Sequence, residues 1–272
     1  MNAFDLSILG PRLEKAQADQ NHQVTLAAAR SRPGQGLQSL RVAGGFANYL
    51  GQGHVLNQAL CLALDGPIPP GEFDQVEALL GQGGAAITLE LPPFTDPSLP
   101  RLLAARGYRV GQFQLVFVRR LTDADLAPPP SEVRVRPLRP GEEGLFSQVV
   151  MAGFLDQDEL PGEDQLMMPD GEVPGTTRFL AWIGEEVAGG GSLGLCDGIA
   201  TLAGTSTLPT FRRRGVQAAL VHARLAAGRA AGAELASTAT LPGTASCRNM
   251  LRLGFEVLYP KVEMVRELNT RS

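Results

Sequence analysis

Histidine and cysteine, the side chains behind most nucleophilic and metal chemistry, are scarce: three of each in 272 residues. Cys61, Cys196 and Cys247 lie far apart with no C-x-x-C pair, so neither a disulfide framework nor a metal site is expected. His22, His54 and His222 stand in no triad spacing with a carboxylate or cysteine, which argues against Ser-His-Asp or Cys-His hydrolysis. No apolar run reaches the roughly 18 residues of a membrane span. The opening MNAFDLSILGPRLEKAQ has no basic segment followed by an apolar one, so it does not read as a secretory signal. A cytoplasmic protein without a membrane partner is the expectation. The net charge of -4 is opposite to a nucleic-acid footprint, so no nucleic-acid partner is expected. Neither a P-loop nor a three-glycine dinucleotide fingerprint occurs.

Glycine and proline are plentiful, at 32 and 20 residues. They separate periodic apolar segments, so they mark tight connections rather than disorder. The length allows two cores. Three consecutive prolines in LTDADLAPPPSE remove backbone donors and favour extended geometry, which marks a semi-rigid linker. The expected domains are therefore residues 1–122, a linker over 123–132, and residues 133–272.

The halves share a repeat. LLAARGYRVGQFQLVFVRRL (102–121) aligns without a gap on NMLRLGFEVLYPKVEMVREL (249–268), matching Gly107 to Gly254 and Tyr108 to Phe255. Each copy reads as a helix ended by a glycine, then an aromatic, then a strand. Duplication is the simplest account. In the second half VRVRPL reads as a strand and PGEEGLFSQVVMAGF as a helix. TRFLAWIGEEVAGGGSLGLC reads as a hairpin turning near Gly184-Glu185. A strand over GIATLAGTSTLP, a helix over 216–231, a strand, a helix and one or two closing strands complete the order. Such alternation gives a mixed, mainly antiparallel sheet with flanking helices, an α/β class.

The stretch TSTLPTFRRRGVQAAL places Arg212, Arg213, Arg214 and Gly215 between a strand and an alanine-rich helix. A helix start exposes unpaired N–H groups and a positive partial charge. Arginines add bidentate donors, and a glycine lets the backbone approach a bulky anion. The pattern reads as a pyrophosphate cradle. Without an anion it would be a solvated basic turn before a helix.

RRRGVQAAL, preceded by a strand and followed by LGF some 40 residues on, resembles the acetyl-CoA loop of the GNAT superfamily of N-acetyltransferases. That family's pattern is Arg/Gln-x-x-Gly-x-Gly/Ala; Arg212 and Gly215 match, and Gln217 departs at the sixth position. The element order over 133–268 also resembles the family's. The resemblance implies acetyl-CoA as cofactor and tandem GNAT-like domains, the first degenerate. It implies that the backbone near Thr207 and Leu208 pairs with the pantetheine arm. The loop and helix start, Arg212, Arg213, Arg214, Gly215, Val216, Gln217, Ala218 and Ala219, would hold the pyrophosphate. The helix after ATLPGT would line the acetyl end. There the family's Tyr and Asn positions are Met250 and Gly243 here, so Ser246 and Asn249 are the polar candidates for both acetyl contact and catalysis, with water as a substitute. In the first half the corresponding stretch, LDGPIPPGEFDQVEALL, carries Asp65, Glu72 and prolines. It cannot cradle a pyrophosphate, so one donor site per chain is expected.

The segment 153–175 holds seven acids and no base. Asp156, Asp158 and Glu159 are the candidates for attracting a small, cationic amine acceptor, with Met167 and Met168 as an apolar wall. The same segment reads equally as a solvated loop. The leading expectation is an acetyl-CoA-dependent N-acetyltransferase working by direct attack in a ternary complex. The alternative is a CoA-binding regulatory or interaction module without catalysis. The acceptor and the oligomeric state are not legible.

Overall fold

The computed structural model describes residues 4–84, 86–162 and 172–268. Helix α1 (Leu6–Ser31) starts where the Asp5 carboxylate accepts the Ser7 N–H at 2.9 Å, an N-cap that satisfies an end donor. Strands β1 (Gln38–Val42), β2 (Gly45–Tyr49) and β3 (Gln58–Leu60) follow, then α2 (Pro70–Leu80), β4 (Ala86–Leu91), α3 (Ser98–Ala105) and β5 (Arg109–Arg120). The second half gives β6 (Arg134–Pro137), α4 (Glu143–Phe154), β7 (Thr176–Ile183), β8 (Glu186–Cys196), β9 (Ile199–Thr207), α5 (Val216–Ala230), β10 (Leu235–Thr240), α6 (Ala245–Arg252) and β11 (Glu256–Glu267). The mixed α/β class and mainly antiparallel pairing are as expected. Strands β3 and β4, and β9 and β10, pair parallel.

The repeat holds residue for residue. Helices α3 and α6, the glycines Gly107 and Gly254 (both at φ 78°), and strands β5 and β11 all correspond at an offset of 147. The closing segment forms one strand, because the exposed Pro260 stands ahead of the residues Val262–Glu267 that pair with β4.

Two compact units form, and they do not follow the halves of the sequence. Among the described residues the first takes 4–117, 239–250 and 256–268; the second takes 118–238 and 251–255. In the first, β1, β2, β3, β4 and β11 lie in that order, with Val262 opposite Leu91 and Glu267 opposite Ala86. Its core gathers Phe73 and Val76 of α2, Leu89 of β4 and Leu99 and Leu103 of α3. A polar knot is buried beside β11: Tyr259 donates to Glu14 at 2.7 Å, and Lys261 donates to Gln17 at 2.7 Å and pairs with Glu14 and Glu90. Burial tends to lower the Lys261 pKa, but the two carboxylates outweigh it and hold the ammonium charged.

In the second unit the order is β10, β9, β8, β7, β6. The β7–β8 hairpin turns at Gly184-Glu185 as expected. Asp197-Gly198 turns β8 into β9 with both φ positive, the primed geometry that suits a two-residue hairpin. Helix α5 lays Val216, Leu220, Val221, Leu225 and Gly228 inward at helical spacing. The segment read as a linker begins with a short 3₁₀ turn, Asp123–Leu126, tied into this unit by Asp125 on Arg119 at 2.5 Å and Asp123 on Arg229 at 2.6 Å.

Candidate functional site

Strand β9 delivers the chain to the arginine loop. Its parallel ladder with β10 runs only from Ile199↔Leu235 to Thr201↔Ser237, whereas its ladder with β8 continues to Thr207. Beyond Thr201 no ladder with β10 is formed among the described residues, although the Thr238 hydroxyl still donates to the Leu202 carbonyl at 2.9 Å. Leu208 is already spent: its N–H donates to the Ala188 carbonyl and its carbonyl accepts from Phe211. Leu208 therefore offers no N–H for a further contact.

Beyond Leu208 a 3₁₀ turn, Pro209–Phe211, leads into four exposed residues, Arg212 to Gly215. Arg213 and Gly215 both have left-handed backbones, at φ 62° and 81°. Alternating handedness turns successive N–H groups toward one side, the arrangement that makes an anion nest. Gly215 is the N-cap of α5, and no side chain among the described residues caps that helix. The N–H groups of its first turn have no carbonyl within the helix to bond. A Cβ at Gly215 would meet open space, but the positive φ disfavours any other residue there. Arg214 lies over the Phe211 ring at 5.5 Å. The residues present therefore fit a diphosphate: oriented amides, a helix dipole and guanidinium groups on one loop.

Two of the acids expected to meet an acceptor contact this loop. Asp156, itself at φ 59°, pairs with the Arg212 guanidinium. Asp158 accepts the Thr210 N–H at 2.9 Å and the Thr210 hydroxyl at 2.7 Å. Those two bonds, and then Arg212, hold its pKa below the usual carboxylate value. The sequence hid this contact because residues 156 and 212 are far apart along the chain. Glu159 is exposed. Glu163, Asp164, Met167, Met168 and Asp170 lie outside the described residues.

Ser246 and Asn249 sit on α6, in the first compact unit, while the arginine loop belongs to the second. Met250, at the family's tyrosine position, is buried. Tyr259 is buried too and bonded to Glu14. Asp197, at the start of β9, lies ten residues from Thr207, about 30 Å along a strand, so it takes no part at the loop. In the first half, α2 starts on Pro69 and Pro70, Glu72 accepts the Ala43 N–H at 3.1 Å, and Asp65 pairs with Lys15 at 3.0 Å. That helix start has few donors and is acidic.

Sequence reasoning missed a cleft of about 400 Å³ next to the loop. Pro128, Pro129, Pro130 and Ser131 form one wall; Gly215, Ala218, Ala219 and His222 of α5 form another. Burial and then Arg119 lower the His222 pKa, so the imidazole facing the cleft is neutral near pH 7.

A helix start with left-handed residues just before it, at the end of a strand, stands on a mixed α/β fold. Residues 150–255 match the model of the acetyltransferase (GNAT) family. Solved structures with a similar fold include a GCN5-related N-acetyltransferase from Kribbella flavida, at 20% identity over 94% of each chain with a TM-score of 0.60. A second, from Sphaerobacter thermophilus, is 16% identical over 94% of this chain and 93% of that one, at 0.52. A tandem GNAT protein from the clavulanic acid biosynthesis pathway, solved without AcCoA, is 15% identical over 98% of this chain and 97% of its own, at 0.54. At these identities the likeness is one of fold, and it extends to the tandem arrangement. No curated protein sequence matches. The GNAT fold supports acyl transfer from acetyl-CoA in general.

Proposed function

We propose that this chain is an N-acetyltransferase that binds one acetyl-CoA on its second half and transfers the acetyl group to a small amine by direct attack. The observation that carries the reading is the loop Arg212–Gly215, whose two left-handed residues and uncapped helix start form a diphosphate nest. Acetyl-CoA bound there supplies the thioester. The loop and the start of α5 fix its diphosphate through the N–H groups up to Ala218, because the Ala219 N–H already donates to the Gly215 carbonyl at 3.0 Å, and the far end of β9 at Thr207 takes the pantetheine arm.

The amine must be neutral to attack, so its proton has to leave first. Strand β9 holds no acid between Ile199 and Thr207, and water is the acceptor that this strand admits. Ser246, with Asn249 as its polar neighbour, is proposed to return a proton to the departing thiolate. Asp156 pairs with Arg212 and Asp158 with Thr210, so attraction of a cationic acceptor rests chiefly on Glu159. The first half, with its acidic and proline-closed helix start, binds no CoA in this reading and packs as a degenerate partner domain.

The test is release of free CoA thiol from acetyl-CoA in the presence of a panel of primary amines. Turnover with at least one amine, reduced about tenfold or more in Ser246→Ala, supports the reading. Binding of acetyl-CoA without turnover on any amine would remove the transferase and leave a CoA-binding module.

A further inference from the structure

Strand β9 carries one residue more than its partner. Against β8, Gly189 faces Thr207 and Gly190 faces Ser206, but Ser192 faces Ala203. Two steps along β8 thus match three along β9. The surplus residue is a β-bulge at Gly204–Thr205, where Gly204 has φ 57°. A bulge bends its strand and re-aims the residues that follow. Here those residues are Thr205 to Thr207, and the β10 ladder ends just before the bulge, at Thr201.

A side chain from α5 holds this irregularity. Arg224 is fully buried, and its Nη1 donates to the carbonyls of Ser192, at 3.1 Å, and Ala203, at 3.3 Å. These are the paired residues that close the bulge. The Ser192 hydroxyl adds a second bond to Ala203, at 3.1 Å, and the Arg224 Nε donates to Leu220 one turn back, at 2.9 Å. Gly191 lies opposite the bulge and makes the room: a Cβ there would stand 2.9 Å from the Arg224 Nη1.

Nη2 has no hydrogen-bond partner among the described residues. Burial pushes the guanidinium down to about 9, and no carboxylate among the described residues acts on it. A buried cation without a counter-ion is costly, and an apolar side chain of similar length would fill the space at less cost. Stability does not explain this residue, but its contacts do.

We infer that Arg224 is a positioning residue that pins the β9 bulge and so sets the course of Thr205–Thr207, the edge that receives the pantetheine arm. The inference rests on the proposal that acetyl-CoA binds here. Arg224 touches no reacting atom; it acts through the strand.

The experiment compares two ligands on wild type and Arg224→Met by titration calorimetry, with thermal unfolding alongside. One ligand is acetyl-CoA; the other is 3′-phospho-ADP, which reaches the arginine loop but has no pantetheine arm. Arg224→Met is expected to unfold no earlier than wild type and to bind 3′-phospho-ADP within about twofold of it. Its acetyl-CoA affinity is expected to fall about tenfold, the scale of one or two misplaced backbone hydrogen bonds. Should that variant not fold, Ser192→Ala removes the second bond to Ala203 and is expected to weaken acetyl-CoA about threefold, again sparing 3′-phospho-ADP. Unchanged acetyl-CoA affinity in the folded variant, or equal losses for both ligands, would overturn the inference. A wild type that binds both ligands equally would overturn it while leaving the diphosphate nest intact. A wild type that binds neither would remove the donor reading, and the pin with it.

Discussion

At the scale of single residues, the contact between Arg212 and Asp156 sets the arginine loop against an internal anion. Both side chains are well exposed, at 44% and 72%, so the pair is weak and a diphosphate can displace it. Asp156→Asn is therefore expected to tighten acetyl-CoA about two- to fivefold in a titration; weaker binding would mean that Asp156 positions the loop rather than competes for it. A second ion pair gives a pH dependence. Arg136 clasps Glu142 with both nitrogens at 2.7 Å, and with the Arg139 N–H it pushes the Glu142 carboxyl down to about 2. A depressed carboxylate stabilises the fold above its unfolded pKa and loses that contribution as pH falls from about 4.5 toward 2. The melting temperatures of wild type and Glu142→Gln should differ at pH 6 and converge near pH 2. In the first unit, Lys261→Met strands Glu14 and Glu90 in the core. Denaturant unfolding should show a loss of about 3–5 kcal/mol.

At the scale of elements, the helix–glycine–strand repeat was the most legible feature. Gly107 and Gly254 stand in the same left-handed conformation at the same offset from helix and strand. Replacing either with alanine should cost about 1 kcal/mol in unfolding free energy, and by nearly the same amount in both copies. Two unlike values would mean that the copies have diverged in how they end the helix. The hairpin at Gly184-Glu185 and the helix after Gly215 were legible for the same reason: turn residues and apolar periodicity act locally. Long-range pairing was not legible. Nothing in RRRG shows that Arg212 meets Asp156, and nothing in GIATLAGTSTLP shows a bulge at Gly204. The three adjacent glycines of β8 hinted at close packing, but only the paired strands show that Gly191 yields to Arg224. A charged residue on the inner face of α5 breaks the amphipathic pattern, and that break was the one local sign of the pin.

At the scale of the whole molecule, the triple proline marked a division of the sequence that the compact units cross. Strand β11 comes from the second copy, yet it pairs with β4 of the first and places Tyr259 and Lys261 on Glu14 and Glu90. Residues 133–272 alone should therefore fail to unfold cooperatively, because β11 would lose its partner strand and a buried lysine its carboxylates. A sharp thermal transition from that fragment would contradict this. A single diphosphate nest at Arg212–Gly215 is the proposed donor site, and the decisive measurement is calorimetric titration of acetyl-CoA. Wild type should bind one equivalent. A variant carrying Arg212→Ala and Gly215→Glu should lose affinity on the order of a hundredfold, through a lost guanidinium, an added anion and a side chain forced into a left-handed backbone. Equal binding by wild type and variant, or two equivalents per chain, would contradict the account.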